Sequence, residues 1–233
     1  MAMSYDIETT DVAQKLSEVR ARITRACEKA GRPEGSVRLL AVAKGHTQAA
    51  IRAAYAAGQR DFGESYMQEL AAKTSDLADL ADIRWRFIGH LQQNKTKEAA
   101  RIGCAVDVID SLRVADALGR RAQALGRRLD VMVQVNVAGE AQKAGCAVAE
   151  LEALVETVRA TPSLNLLGLM TIPPAVDDPE LSRPWFRALG QLAARHVLSE
   201  LSMGMSDDLE VAVEEGATMV RVGTAIFGNR NPL

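Results

Sequence analysis

Val37-Arg38-Leu39-Leu40-Ala41-Val42-Ala43-Lys44 is a short apolar run that ends on a cation. Its length and apolar content suit a strand buried on both faces, as in a parallel sheet. Outward from it, runs of the same kind recur at 60–63, 84–91, 106–112, 130–136, 165–172, 196–203 and 218–228. Most of the gaps carry an alanine- and leucine-rich helical pattern, as at 113–125, 148–159 and 207–215, and the segment after Leu91 carries the shortest. Upstream, Val12, Leu16, Val19 and Ile23 stand at helical spacing and predict a helix over about 11–30, stopped by Gly31 and Pro33. Eight strands alternating with helices predict an α/β fold: a single (β/α)8 barrel of the TIM type over about 37–228, with an extra N-terminal helix. An open doubly wound sheet is the alternative.

The chain has 233 residues, 48% of them hydrophobic, which is enough for one continuous core. No Pro/Ser-rich linker or charge block divides it, so residues 1–233 read as one domain. The 28 basic and 30 acidic residues nearly balance, at a formal charge of −2, and the basic excess of a nucleic-acid-binding protein is missing. Cys27, Cys104 and Cys146 lie far apart, without CxxC or metal-type spacing, and read as reduced thiols. The N-terminus carries acid where a signal peptide would carry basic residues, and no apolar run approaches the ~20 residues needed to cross a bilayer. The expectation is a soluble, cytoplasmic protein with no nucleic-acid or membrane partner. A monomer is expected because no apolar patch can be read off the helices.

In a barrel of parallel strands the C-terminal strand ends form the working face. Lys44 follows five apolar residues there. Desolvation lowers a lysine pKa and frees the amine to attack carbonyls, while the alternative is an ammonium that reaches past the strand end to solvent. Ser202-Met203-Gly204-Met205-Ser206-Asp207-Asp208 feeds a helix, with both aspartates in its first turn. Gly204 and Ser206 therefore stand where a helix N-terminus meets an anion such as phosphate, unless Ser206 is only an N-cap. Strand eight holds Arg221 inside an apolar run, with Gly223 and Thr224 directly after it. Loops after strands seven and eight are the usual phosphate grip of such barrels, although Arg221 could instead pair with an acid on a neighbouring strand. Glu64 after strand two, and Gln92 and Asn94 after strand three, either point into the mouth or cap the next helices. Asn136 and Lys143 after strand five face either a ligand or solvent. His46, His90 and His196 do not stand at metal-ligand spacing, so no metal site is predicted.

Five segments, taken in order, resemble the YggS/PROSC group of pyridoxal 5′-phosphate (PLP) homeostasis proteins, which is similar to the N-terminal barrel domain of alanine racemase. They are Leu-Leu-Ala-Val-Ala-Lys at 39–44, Phe-Gly-Glu-Ser-Tyr at 62–66, Trp-Arg-Phe-Ile-Gly-His-Leu-Gln-Gln-Asn-Lys at 85–95, Ser-Met-Gly-Met-Ser-Asp-Asp at 202–208 and Arg-Val-Gly-Thr-Ala-Ile-Phe-Gly at 221–228. The resemblance covers nearly the whole chain. It implies an alanine-racemase-like barrel with PLP as cofactor, held as a Schiff base on Lys44. It further implies that Ser206, Gly223 and Thr224 hold the phosphate, that Arg221 faces the pyridine nitrogen and that Met203 lies beside the ring. Ser65 joins this set at the end of strand two, where the family commonly has asparagine. Arg86 stands where the family commonly has histidine.

The same resemblance implies a role in intracellular PLP homeostasis, as a carrier or buffer without robust catalysis, whose partners are PLP and apo PLP-dependent enzymes. A guanidinium at the pyridine nitrogen keeps its proton, so the ring stays neutral and is a weak electron sink. Related racemases also take a tyrosine acid/base from a further β domain of another subunit, for which Tyr5, Tyr55 and Tyr66 are weak substitutes, so no catalytic residue is assigned. Two other readings stay open. One is a weak PLP-dependent racemase or lyase acting on a small amino acid. The other is a PLP-free Schiff-base aldolase, whose lysine would more often sit on a late strand.

Overall fold

The computed structural model describes residues 2–140 and 142–228, with side chains from residue 11 onward. The helix α1 (Ala2–Lys29) opens the chain and β1 (Arg38–Val42) follows. Then come α2 (Gln48–Ala56), β2 (Asp61–Glu64), α3 (Met67–Asp76), β3 (Arg84–Phe87), α4 (Thr96–Ile102), β4 (Ala105–Ile109), α5 (Leu112–Ala124) and β5 (Leu129–Gln134). The second half holds α6 (Leu151–Arg159), β6 (Leu164–Met170), α7 (Arg183–Arg195), β7 (Glu200–Ser202), α8 (Leu209–Glu214), β8 (Met219–Val222) and α9 (Thr224–Phe227). Short 3₁₀ turns precede α4, α6 and α7.

The eight strands are parallel and close in sequence order, with β1 paired to both β2 and β8. The open-sheet alternative is therefore excluded. Closure satisfies both edges of every strand, and the helices cover the outside of the sheet. Inside the barrel a Cβ on Gly63 would sit 3.1 Å from both Leu40 and Ile88 side-chain carbons, which shows how densely the axis is filled. Between the sheet and the helices a second layer is buried, including Phe62, Phe87, Val106, Met132 and Val220 together with helix residues such as Leu16, Leu70 and Leu118. No helix among the described residues is long and apolar enough to cross a membrane. The three cysteines are buried and free, and burial pushes the Cys104 and Cys146 thiols up to about 12.

Several boundaries differ from the sequence expectation. The first helix begins at Ala2 rather than near residue 11. Leu112 opens α5 and is not the end of a strand. The run 196–203 contributes only Glu200–Ser202 to the sheet, because His196 ends α7 and the exposed Val197 turns the chain at φ +52°. The run 218–228 breaks at Gly223, after which α9 begins. Residues 229–233, at the end of the expected domain, lie outside the described residues, as do the side chains of residues 2–10, Tyr5 among them.

Candidate functional site

β1 ends at Val42, and Ala43 makes the last ladder contact, donating its N–H to the Gly63 carbonyl at 2.9 Å. The chain then turns. His46 N–H reaches back to the Ala43 carbonyl at 3.1 Å, and Gly45 sits at φ +71°, where a side chain would be strained. Lys44 rides on this turn just beyond the strand. It lines a cleft of about 470 Å³ at the C-terminal mouth of the barrel, a volume suited to a small cofactor.

Two loops line this cleft together with Lys44. After β7, Gly204 takes φ +89°, and a Cβ there would lie 2.4 Å from that of Ala212. Asp208 closes the turn by accepting the Met205 N–H at 2.7 Å on one oxygen and the Ser182 hydroxyl at 3.2 Å on the other. The loop is tied to β8 by Arg221 N–H, which donates to the Gly204 carbonyl at 2.9 Å. Ser206 lines the same cleft as Gly223 and Thr224. The N-cap position of α8 is Asp208, which corrects the expectation that Ser206 caps this helix with the aspartates in its first turn.

Arg221 is buried, and its guanidinium donates to the Ser202 hydroxyl at 2.9 Å and the Thr171 carbonyl at 2.8 Å. Those bonds take the place of the carboxylate partner considered as its alternative. Burial pulls Arg221 down to about 10, against the raising influence of Asp107 and Asp208, and this still leaves it charged at neutral pH. Asp107 itself is engaged by Arg86, whose Nε and Nη2 donate to its two oxygens at 2.7 and 2.5 Å. Burial works to lower Arg86, but the charge and hydrogen bonds of Asp107 outweigh it. Arg86 is thus half of a buried ion pair inside the barrel.

Of the residues expected at the site, Lys44, Ser65, Ser206, Arg221, Gly223 and Thr224 all line the cleft. Met203 does not: it is fully buried in the core, and Met205, past the Gly204 turn, stands at the cleft instead. Glu64 neither points into the mouth nor caps α3, because it is buried against Lys73. Gln92 and Asn94 are not among the lining residues, and neither are Asn136, which donates to the Glu140 carbonyl, and Lys143, which donates to the Pro173 carbonyl.

Sequence reasoning missed Arg22. It reaches the site from α1, donating to the Ser206 carbonyl at 2.9 Å and to both Glu210 oxygens at 2.6 and 2.8 Å. Nothing local to Arg22 signals this, since the contact spans most of the chain. His46, which the sequence offers only as a metal ligand out of spacing, lines the cleft with its ring 5.0 Å from that of Phe227. No group of three or more metal-ligating side chains occurs among the described residues.

Fold and site define an α/β barrel with an amine beyond the first strand and hydroxyl- and glycine-rich loops after the last two, all at one mouth. The chain belongs to the family described as alanine racemase, N-terminal domain, whose model matches residues 14–231, and within it groups with the pyridoxal phosphate homeostasis proteins. It is 46% identical over 222 residues to the pyridoxal phosphate homeostasis protein of Pseudomonas aeruginosa, covering 94% of this chain and 96% of that one. It is 42% identical over 226 residues to that of Aquifex aeolicus, at 94% and 99% coverage. Among solved structures it is similar to PipY of Synechococcus elongatus with PLP bound, at a TM-score of 0.83 and 38% identity, covering 93% of this chain and 100% of that one. Alanine racemase from Corynebacterium glutamicum shares the fold at a TM-score of 0.72 and 19% identity, and there the match covers 95% of this chain and 62% of the racemase.

Proposed function

We propose that the protein holds PLP in the barrel mouth, covalently and reversibly on Lys44, and serves PLP homeostasis as a carrier or buffer without robust catalysis. The observation that carries this reading is the convergence of Lys44, Arg221 and the Ser206 and Gly223-Thr224 loops on one cleft. The donor set fits the group. Arg22, Lys44 and Arg221 supply positive charge, Ser65, Ser206 and Thr224 supply hydroxyls, and Asp207 is the one carboxylate among the lining residues. When bound, PLP supplies an aldehyde that condenses with a primary amine, releasing one water, and that water can return to free it again.

The residues divide this work. Lys44 is the amine at the mouth. Ser206, Gly223 and Thr224 are the candidate phosphate holders in the same cleft. Arg221, fixed by Ser202 and Thr171, presents a guanidinium that keeps its proton at neutral pH, and set against a ring nitrogen it would leave that nitrogen unprotonated. A ring held that way is a poor electron sink, which favours holding over turnover. Tyr55 and Tyr66 are not among the lining residues, and Tyr55 is engaged with Asp82, so neither supplies the second acid/base a racemase needs. On this reading the partners are PLP and the apo-enzymes that receive it.

Absorption spectra with added PLP, before and after borohydride reduction, test this beside Lys44→Ala. The expected result is a label fixed to the peptide containing Lys44 and missing from the variant. Label spread over Lys95 and Lys143, or none, would refute it. Multiple turnovers of a small amino acid that vanish in Lys44→Ala would replace the carrier with an enzyme.

A further inference from the structure

Lys44 stands beyond the β1 ladder, so strand pairing does not set the direction of its side chain. A second set of bonds does. Lys73, on α3 and buried, donates to the Ala43 carbonyl at 2.8 Å, to Glu69 at 2.9 Å and to the buried Glu64. Glu69 in turn accepts the Gly45 N–H at 2.9 Å. The Ala43 carbonyl belongs to the peptide group before Lys44, and the Gly45 N–H belongs to the one after it. One ammonium and one carboxylate therefore tie both peptide planes that flank the Lys44 Cα. None of the three charged residues is among those lining the cleft.

A buried ion pair is a weak source of stability, because desolvation offsets most of its attraction. A cluster of this kind contributes geometry, and this one is bonded to the two peptides that aim Lys44. We propose that Lys73, held between Glu64 and Glu69, is the positioning residue for Lys44. It fixes the backbone on either side so that the amine projects into the cleft at the angle a carbonyl requires. Misplacing a reacting group by an ångström slows reaction far more than it weakens binding.

This inference rests on the reading of Lys44 as the amine that takes PLP, and the test separates the two. Two measurements are made on Lys73→Met, Glu69→Gln and the parent protein. One is the rate of borohydride-fixable capture of PLP on Lys44. The other is the affinity for pyridoxamine 5′-phosphate, which has the ring and phosphate but no aldehyde. Capture should slow about tenfold in Lys73→Met and severalfold in Glu69→Gln, while pyridoxamine phosphate affinity stays within about twofold. Capture at the parent rate, or equal loss of capture and affinity, overturns the proposal. Should Lys73→Met fail to fold, Glu69→Gln carries the test, because its carboxylate is partly exposed. A parent that captures no PLP on Lys44 removes the functional reading and this inference with it, whereas a parent and variants that capture alike remove this inference alone.

Discussion

At the scale of single residues, the barrel interior carries charge that must be balanced locally. Arg86 and Asp107 form a two-bond pair with both side chains nearly or fully buried. Replacing Asp107 by Asn leaves a buried guanidinium without its counter-charge and should cost about 3–5 kcal/mol, read as a lower urea midpoint at unchanged slope. Replacing both partners by apolar residues, Arg86→Met with Asp107→Leu, should cost far less, because the desolvation penalty disappears with the pair. A double variant as unstable as Asp107→Asn would show that packing, not charge, dominates there. Residues of this kind separate what was legible in the sequence from what was not. Lys44, Ser206, Gly223 and Thr224 announce themselves by chemistry at a strand end or turn, where local order is enough to place them. Arg22 gives no such signal, since it meets Ser206 only through the folded chain. Met203 shows a finer limit. Because Gly204 turns the chain at φ +89°, the residue beyond it reaches the cleft, and the one before it is buried.

At the scale of elements, repetition was readable and boundaries were not. Eight apolar runs predict eight strands because each parallel strand is buried on both faces, and burial leaves a continuous signature. The ends misread because an apolar residue carries the same signature wherever it lies. Val197 extends the expected seventh strand into a turn, though it is 88% exposed, and Leu112 extends the fourth into a helix. The first helix errs the other way. Its apolar spacing begins at Val12, while the helical backbone reaches back to Ala2 over a stretch where periodicity offers nothing to read. From Val12 onward α1 packs against α2, α8 and α9, and Leu16 is fully buried at its centre. Leu16→Ala should cost about 2–5 kcal/mol and lower Tm by roughly 5–15 °C, measured by thermal denaturation. An unchanged Tm would mean that α1 lies on the barrel without contributing to its stability.

At the scale of the whole molecule, ring closure joins the first strand to the last, and a surface network ties the closing elements together. Arg183, at the start of α7, bonds Glu180, Glu214 at 2.8 Å and Glu215 at 2.9 Å, while Lys29 of α1 reaches Glu214 at 2.6 Å. Lys29 and Arg183 hold the Glu214 carboxyl below its ordinary range, Arg187 and Arg183 do the same for Glu215 against the opposing effect of burial, and Arg183 does so for Glu180. Each of these acids has a folded pKa below its unfolded one, so the stability it contributes is present above the unfolded value near ~4.3 and is lost as pH falls through the folded value. Arg183→Met removes the shared cation. The variant should melt about 1–4 °C below the parent at pH 7, since exposed and partly exposed pairs each contribute little. The gap should close as pH falls below about 4 and shrink in 1 M salt, because protonation and screening remove the same attraction. A gap that persists at pH 3 would assign the loss to the packing of the arginine stem, and the closing helices would then be joined by contact instead of charge.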